Sequence, residues 1–345
     1  MSTRTDSTEM NSQVPTAAEI NLVLDYILAH KMEFVQEFLR ERNLYFSGTR
    51  ETLRKRLQAY LSEGQFSITD LVRLLNEIEG WGNQHIYLYK APGRLMEPWL
   101  EEDSVRKHLE RLELINLFNR QRPLVLPEKP TLSAIEWTPE RVRFVWIEQR
   151  KWEERVTKED FEEHGMVWHA YRVSISRGLV AFDWDLVSGY AMWMIQQLPR
   201  GTKYHQARER FARGFQPIVD LNDFDPLHVS RAIRSIEASR EVRRRQLAYQ
   251  TWQGSKATFT SASRSRDAFE DPNVQRAGQA LQEDTAGLLA NFYWLPVEGK
   301  LEHELHCKIY AADQHVGIFG EHQEQEVRYV LSRILHYCRE ASGTR

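Results

Sequence analysis

Phe34-Val-Gln-Glu-Phe-Leu-Arg-Glu-Arg-Asn-Leu-Tyr-Phe-Ser-Gly-Thr-Arg-Glu-Thr-Leu-Arg-Lys-Arg-Leu-Gln-Ala-Tyr-Leu61 holds two apolar stripes joined by a sharp turn. Phe34, Val35, Phe38 and Leu39 recur at helical spacing. Asn43 falls at the C-terminal end of that helix, where asparagine tolerates a left-handed backbone. Leu44-Tyr-Phe46 is too apolar for an exposed loop and is expected to pack. Ser47-Gly-Thr49 punctuates, and Thr49 is placed to cap a second helix over Arg50–Leu61. Leu39, Leu44, Leu53 and Leu57 supply a minimal core for the two helices. Gly48 allows a sharp backbone turn, after which the second helix presents its N–H groups and positive dipole end to an anion. Arg50, Arg54 and Arg56 add charge around that end.

These residues resemble the SAP family of helix-extended loop-helix DNA-binding motifs. The marks are the pair Phe38–Leu39, the turn Arg42-Asn-Leu44, the run Ser47-Gly-Thr-Arg50, and Leu53 with Arg56–Leu57. The family usually has glycine where Asn43 stands and lysine where Arg50 stands; both departures keep the turn and the cation. The resemblance implies DNA binding through Ser47, Gly48, Thr49, Arg50, Arg54 and Arg56. Contacts of this kind go mostly to phosphates and groove shape, with modest sequence preference. It also implies a tethering role, in which the rest of the chain carries a partner surface, a second DNA surface or an activity.

The chain has 345 residues, room for two or three domains, and 41% hydrophobic residues, enough for a substantial core. The net charge of −3 hides an uneven distribution. Between Arg40 and Arg56, six cations face only Glu41 and Glu51. A second basic stretch runs from Lys203 to Arg245, and the tail beyond Asp267 is acidic on balance. Met1–Thr16 is polar, rich in Ser and Thr and without an apolar signal core, and reads as a disordered leader. No apolar run reaches the roughly 18 residues of a membrane helix, so the expected location is cytoplasmic or nuclear. Cys307 and Cys338 lack metal-type spacing and read as reduced core thiols.

Periodicity predicts one helix over Ala17–Leu39, the second over Arg50–Leu61, a third over Thr69–Glu79 and a short strand at His85–Tyr89. The helical, SAP-like region is therefore expected over 17–92, and a helical, proline-punctuated linker over 93–130 (Val105–Asn119 helical, then Pro123, Pro127 and Pro130). An α+β domain is expected over 131–345. Its strands are read at Arg141–Ile147, Tyr171–Asp185, Leu247–Ala262, Leu288–Leu295, Glu304–Ala311 and His315–Gly320. Its helices are read at Leu186–Leu198, Tyr204–Phe215, Pro226–Ser239, Asn273–Glu283 and Glu324–Cys338. The fold class is α+β: a small all-helical region, then a larger domain of mainly antiparallel strands with helices.

The larger domain has no phosphate loop, nucleophile elbow, cofactor motif or zinc spacing. Asp183 and Asp185, alternate residues of a strand, form a carboxylate pair that reads as a strand end rather than a metal site. His306-Cys-Lys-Ile-Tyr-Ala-Ala-Asp313, with Gly320 beyond it, resembles the H-x-K-x4-D motif of the phospholipase D superfamily. That resemblance implies a His306 nucleophile, Lys308 on phosphate oxygens, Asp313 orienting the histidine, and a homodimer to complete the site, since the chain has a single such pair. The family's Ser and Asn after the glycine are replaced here, and Glu321 stands where phosphate would approach. Three readings follow: a DNA tether with an unidentified protein partner, a dimeric metal-independent phosphodiesterase recruited to DNA, and a protein-binding adaptor.

Overall fold

Thr16 and Glu19 open the first helix with a reciprocal capping box, the Thr16 hydroxyl accepting from the Glu19 N–H at 3.2 Å. The computed structural model describes residues 16–124, 126–199, 201–251, 253–282 and 285–343; the leader read at Met1–Thr16 thus lies outside them up to residue 15. Two compact units divide between Asn76 and Glu77. The N-terminal unit is built from α1 (Ala17–Ala29), α2 (Met32–Glu41), α3 (Arg50–Ser62) and most of α4 (Ile68–Glu79). Val23, Leu24 and Ile27 of α1, Val35 and Leu39 of α2, Leu53 and Leu57 of α3, and Leu71 and Leu75 of α4 are fully buried. Phe38 meets Phe66 edge to face at 5.3 Å.

The single helix expected over Ala17–Leu39 is two helices, broken at an extended His30 (φ −82°, ψ −179°). Leu28 and Val35 are seven residues apart across the break, two helical turns. The apolar phase is therefore the same with or without it, and periodicity cannot reveal it. Leu44 is half-buried and Tyr45 is 61% exposed, so the apolar triplet after Asn43 does not join the core as expected. Arg56 lies 4.2 Å above the Tyr45 ring and Arg40 4.7 Å above that of Phe46, covering aromatic faces with cations instead.

The larger unit contains β1 (Gly82–Lys90), β2 (Thr131–Thr138), β3 (Arg141–Arg155), β4 (Phe161–Glu163), β5 (Met166–Trp168), β6 (Tyr171–Asp185), β7 (Tyr190–Gln196), β8 (Asp225–Pro226), β9 (Val242–Thr251), β10 (Lys256–Thr260), β11 (Thr285–Trp294), β12 (Leu305–Tyr310) and β13 (His315–Glu321). Its helices are α5 (Gly93–Met96), α6 (Glu102–Arg111), α7 (Tyr204–Phe215), α8 (Ala232–Ala238), α9 (Pro272–Gln282) and α10 (Glu324–Gly343). One antiparallel sheet runs β10-β9-β11-β12-β13-β1-β7-β6-β3-β2, with β8 also paired to β1. The α+β class therefore holds, with the sheet dominating.

Two cores sandwich this sheet. On one face Ile86, Val145, Met194, Cys307, Ile309 and Val316 meet Ile233 and Ile236 of α8 and Val330 and Ile334 of α10. On the other, Tyr87, Phe144, Phe182 and Trp193 meet Val105 and Leu109 of α6 and Phe211 and Phe215 of α7. The second core contains no residue of β9 to β13.

Five expectations need correcting. The boundary at residue 92 fails because β1 is an interior strand of the sheet, paired on both sides. The stretch 93–130 is not only a linker: Trp99, Val105, Leu109 and Leu117 belong to the second core. The helix expected over Leu186–Leu198 is strand β7, where Met192 and Met194 enter one core and Trp193 the other. A strand buried on both faces shows no alternation of polarity, so its apolar run imitates a buried helix. Helix α8 is also shorter than Pro226–Ser239, and Leu247–Ala262 is a hairpin rather than one strand, turning at Gly254. Cys307 and Cys338 are both buried, and neither forms a disulfide. Among the described residues no helix is long and apolar enough to cross a membrane.

Candidate functional site

Helix α3 starts from a turn that its own residues dictate. Gly48 sits at φ +139°, and a Cβ there would lie 3.0 Å from Cβ and Cγ2 of Thr52. The Thr49 hydroxyl accepts from the Thr52 N–H at 3.3 Å. The N–H groups of Arg50 and Glu51 have no acceptor among the described residues, leaving two donors at the positive end of the helix dipole. Asn43 adopts φ 55°, the left-handed conformation expected of it.

The arginines around this turn differ in freedom. Arg50 is exposed, its Nη2 donating to the His30 carbonyl at 3.3 Å. Arg54 is ion-paired with Asp25 and reaches Asn21 Oδ1 at 3.4 Å, so part of its charge is spent on α1. Arg56 donates to the Ser47 carbonyl, closing the turn from behind. Lys55 pairs with Glu51 at 2.9 Å, and Arg42 donates to the Phe38 carbonyl at 3.0 Å. Ser47, Gly48 and Thr49 are all exposed. Gly48→Val is expected to cost about 1–3 kcal/mol in chemical denaturation, from the positive φ and the close approach to Thr52. An unchanged denaturation midpoint would show that the loop relaxes freely.

The second candidate set lies on the half of the sheet that the second core leaves out. Along β12, Leu305, Cys307 and Ile309 are fully buried, while His306, Lys308 and Tyr310 alternate with them and are half-buried. His306 and Lys308 therefore share a face, as the motif requires. Asp313 does not join them. Four residues of extended chain, roughly 13 Å, separate His306 from Tyr310, and Asp313 lies in the turn beyond. Its charge acts on His315 and Tyr87 instead. The His306 Nε2 partner is Asn291 Oδ1, at 2.6 Å. Gly320 has φ +90°, and Glu321 pairs across the sheet with Gly82.

Register builds three cross-strand rows on this face. Tyr293, His306 and Phe319 form one, with ring centroids 4.7 Å apart for the first pair and 4.8 Å for the second. Asn291, Lys308, Gly317 and His85 form the middle row. Tyr310, His315 and Tyr87 form the third, with Tyr310 stacked on His315 at 4.4 Å. His85 Nδ1 lies 2.8 Å from His315 Nε2, and Tyr204 of α7 stacks on His85 at 3.5 Å.

Burial holds all three histidines toward the neutral form. His85 is pushed down to about 3, by burial first and then by His315 and Lys308. His315 falls to about 4, mainly through burial. His306 also falls to about 4, through burial and then the positive field of Lys308, Arg264 and Arg245.

Asp183 and Asp185 are not a metal pair. Asp183 is fully buried and ion-paired with Arg141, with Arg143 Nε at 3.7 Å and with Arg328 Nη2 at 3.1 Å. Those arginines hold its carboxyl below the usual range against the opposing pull of burial. Asp185 Oδ1 instead accepts from the Val187 and Ser188 N–H groups at 2.9 and 2.7 Å and closes the β6–β7 turn. Trp81, Trp184, Trp193 and Trp294 are fully buried, so these four tryptophans offer no stacking surface.

His85, Asn291, Tyr293 and His315 are not legible as site residues in the sequence. Alternation shows which face each occupies, but not which residues 15 to 230 positions away lie beside them. No protein-family model matches this chain, and no curated protein matches it by sequence.

Proposed function

We propose that this chain is a DNA-binding protein, in which the α2–turn–α3 element holds duplex DNA in the manner of a SAP motif and tethers the sheet domain to it. The observation that carries the proposal is the start of α3. Two unaccepted N–H groups at a helix N-terminus, a glycine turn with no side chain in the way, and the exposed Arg50 occur together at the start of α3. Arg40, Arg42 and Lys55 extend the positive surface, and the carboxylates between Arg40 and Arg56 are only two, Glu41 and Glu51. Nothing in this arrangement reads base edges, so the duplex is held by backbone and shape. Hydrolysis is not part of the proposal, because His306, Lys308 and Asp313 do not converge.

The test is duplex binding as a function of salt. Arg50→Ala with Arg54→Ala is expected to weaken binding alike on unrelated sequences. The slope of log K against log salt should shrink by about 0.9 for each phosphate that the variant no longer neutralises. A folded double variant with unaltered affinity and slope would end the assignment.

A further inference from the structure

The hairpin of β3 and β6 outruns the sheet that carries it. Each strand runs 15 residues, but β2 follows β3 only as far as Ile147 and β7 follows β6 only from Val180. Residues 171–179 of β6 therefore have β3 on one side and no strand on the other among the described residues. Beyond them β4 and β5 form the tip of the arm, where Phe161 stacks on Trp168 at 6.1 Å. A bare edge of this length is a template for adding a strand.

The same arm holds the apolar side chains that the two cores leave in water. Tyr171, Val173 and Ile175 alternate along β6 and share one face. Phe161, Met166, Val167 and Trp168 lie at the tip. Each of the seven is 49–62% exposed, and among the described residues only three other large apolar side chains are exposed. At roughly 100 Å² apiece they put on the order of 700 Å² of apolar surface in water. Monomeric proteins rarely expose a contiguous apolar patch of more than a few hundred Å², and a standard interface removes about 800 Å² from each partner.

The open edge is complementary to itself. Laid antiparallel on its own copy about a two-fold axis at Val173, β6 sets Val173 against Val173 and Tyr171 against Ile175, the second pair occurring twice. Aromatic and β-branched side chains are favourable cross-strand neighbours. On the other face the same register sets Arg172 against Ser174, whereas a parallel join in register would line Arg172 up with itself. The two-fold also carries each tip, with Phe161 and Trp168, toward the other copy's sheet. We infer that the chain forms a homodimer, joined edge to edge through residues 171–175 of β6 with Val173 on the axis. The inference is independent of DNA binding, and the dimer carries two copies of the α2–turn–α3 element.

Sedimentation equilibrium of the full chain without DNA, at up to about 100 μM, is expected to show a dimer. Val173→Lys brings two ammonium groups together on the axis and should raise the dimer dissociation constant by at least about 100-fold. Val187→Lys, on an exposed valine of the β6–β7 turn outside the arm, should leave it unchanged. Val173→Cys should give a covalent dimer on oxidation with diamide, because directly opposed residues of antiparallel strands have Cβ atoms about 4.5–5.5 Å apart, within reach of a disulfide. Glu153→Cys, paired with Val173 one strand further from the axis, should not, and the buried Cys307 and Cys338 do not compete. Should Val173→Lys fail to fold, as judged by thermal unfolding, Val173→Cys decides alone. A chain that stays monomeric at that concentration overturns the inference. So does a dimer indifferent to Val173→Lys in the folded variant, or a cross-link that forms through position 153 and not through position 173.

Discussion

Asp183→Asn is expected to lower unfolding stability by about 3–5 kcal/mol, measured by urea denaturation near neutral pH. The carboxylate is fully buried and faces Arg141, Arg143 and Arg328, whose guanidinium carbons also lie 5.9, 5.1 and 5.0 Å from the Trp81 ring. Asparagine keeps the shape and removes the charge. Arg143, itself buried, then loses its only carboxylate within ion-pair distance among the described residues. The neighbouring carboxylates are engaged elsewhere, Glu136 with Arg122 at 2.7 Å and Glu79 with Arg177, and do not offset the loss. A change below about 1 kcal/mol would mean that water replaces the carboxylate and the cluster is wet.

Acid should destabilise the sheet domain well before carboxylates titrate. In the folded protein His85 is held to about 3, and His306 and His315 to about 4, whereas an unfolded chain binds the proton near 6.5. The unfolded state therefore holds more protons throughout that interval. Stability is complete above about pH 6.5 and declines as pH falls toward 4, by up to about 1.4 kcal/mol per pH unit for each histidine. Asp183 and Glu136, with depressed values, lose their contribution only at lower pH, so the two effects occupy different windows. Denaturation midpoints at pH 7, 6 and 5 check this, with His315→Gln expected to flatten the curve. A flat profile in the unmodified protein would show that the face takes up protons without cost.

What could be read from the chain alone was local. The Thr49 cap, the Asn43 turn and the extent of α3 follow from residue types with strong backbone preferences, and they stand where expected. Alternation along β12 places Leu305, Cys307 and Ile309 on the buried face and His306 and Lys308 on the other, a pattern the residue types of the strand carry. Illegible were features set by distant neighbours. β7 lost its polarity pattern because both its faces are buried, and the α1–α2 break kept the apolar phase. The company of His306 depends on register: Asn291 and Phe319 are its neighbours and Asp313 is not, a fact no spacing rule contains. Arg54 looked like a free cation until α1 brought Asp25 to it.

The position of β1 has a bearing on how the chain comes to be folded. Residues 82–90 pair on one side with β7 and on the other with β13, so Gln84 faces Gln196 across one ladder and Ile318 across the other. The sheet is thus joined through its earliest strand by its last. During synthesis residues 82–87 of β1 wait for β13 along one edge, only Tyr89 and Lys90 being paired earlier by β8, and closing that ladder spans more than two hundred residues. Such long-range pairing makes folding slow, and it makes assembly of the domain dependent on its final hairpin. A chain stopped before His315 would keep every other strand and still present residues 82–87 of β1 as a bare edge, a template for intermolecular pairing.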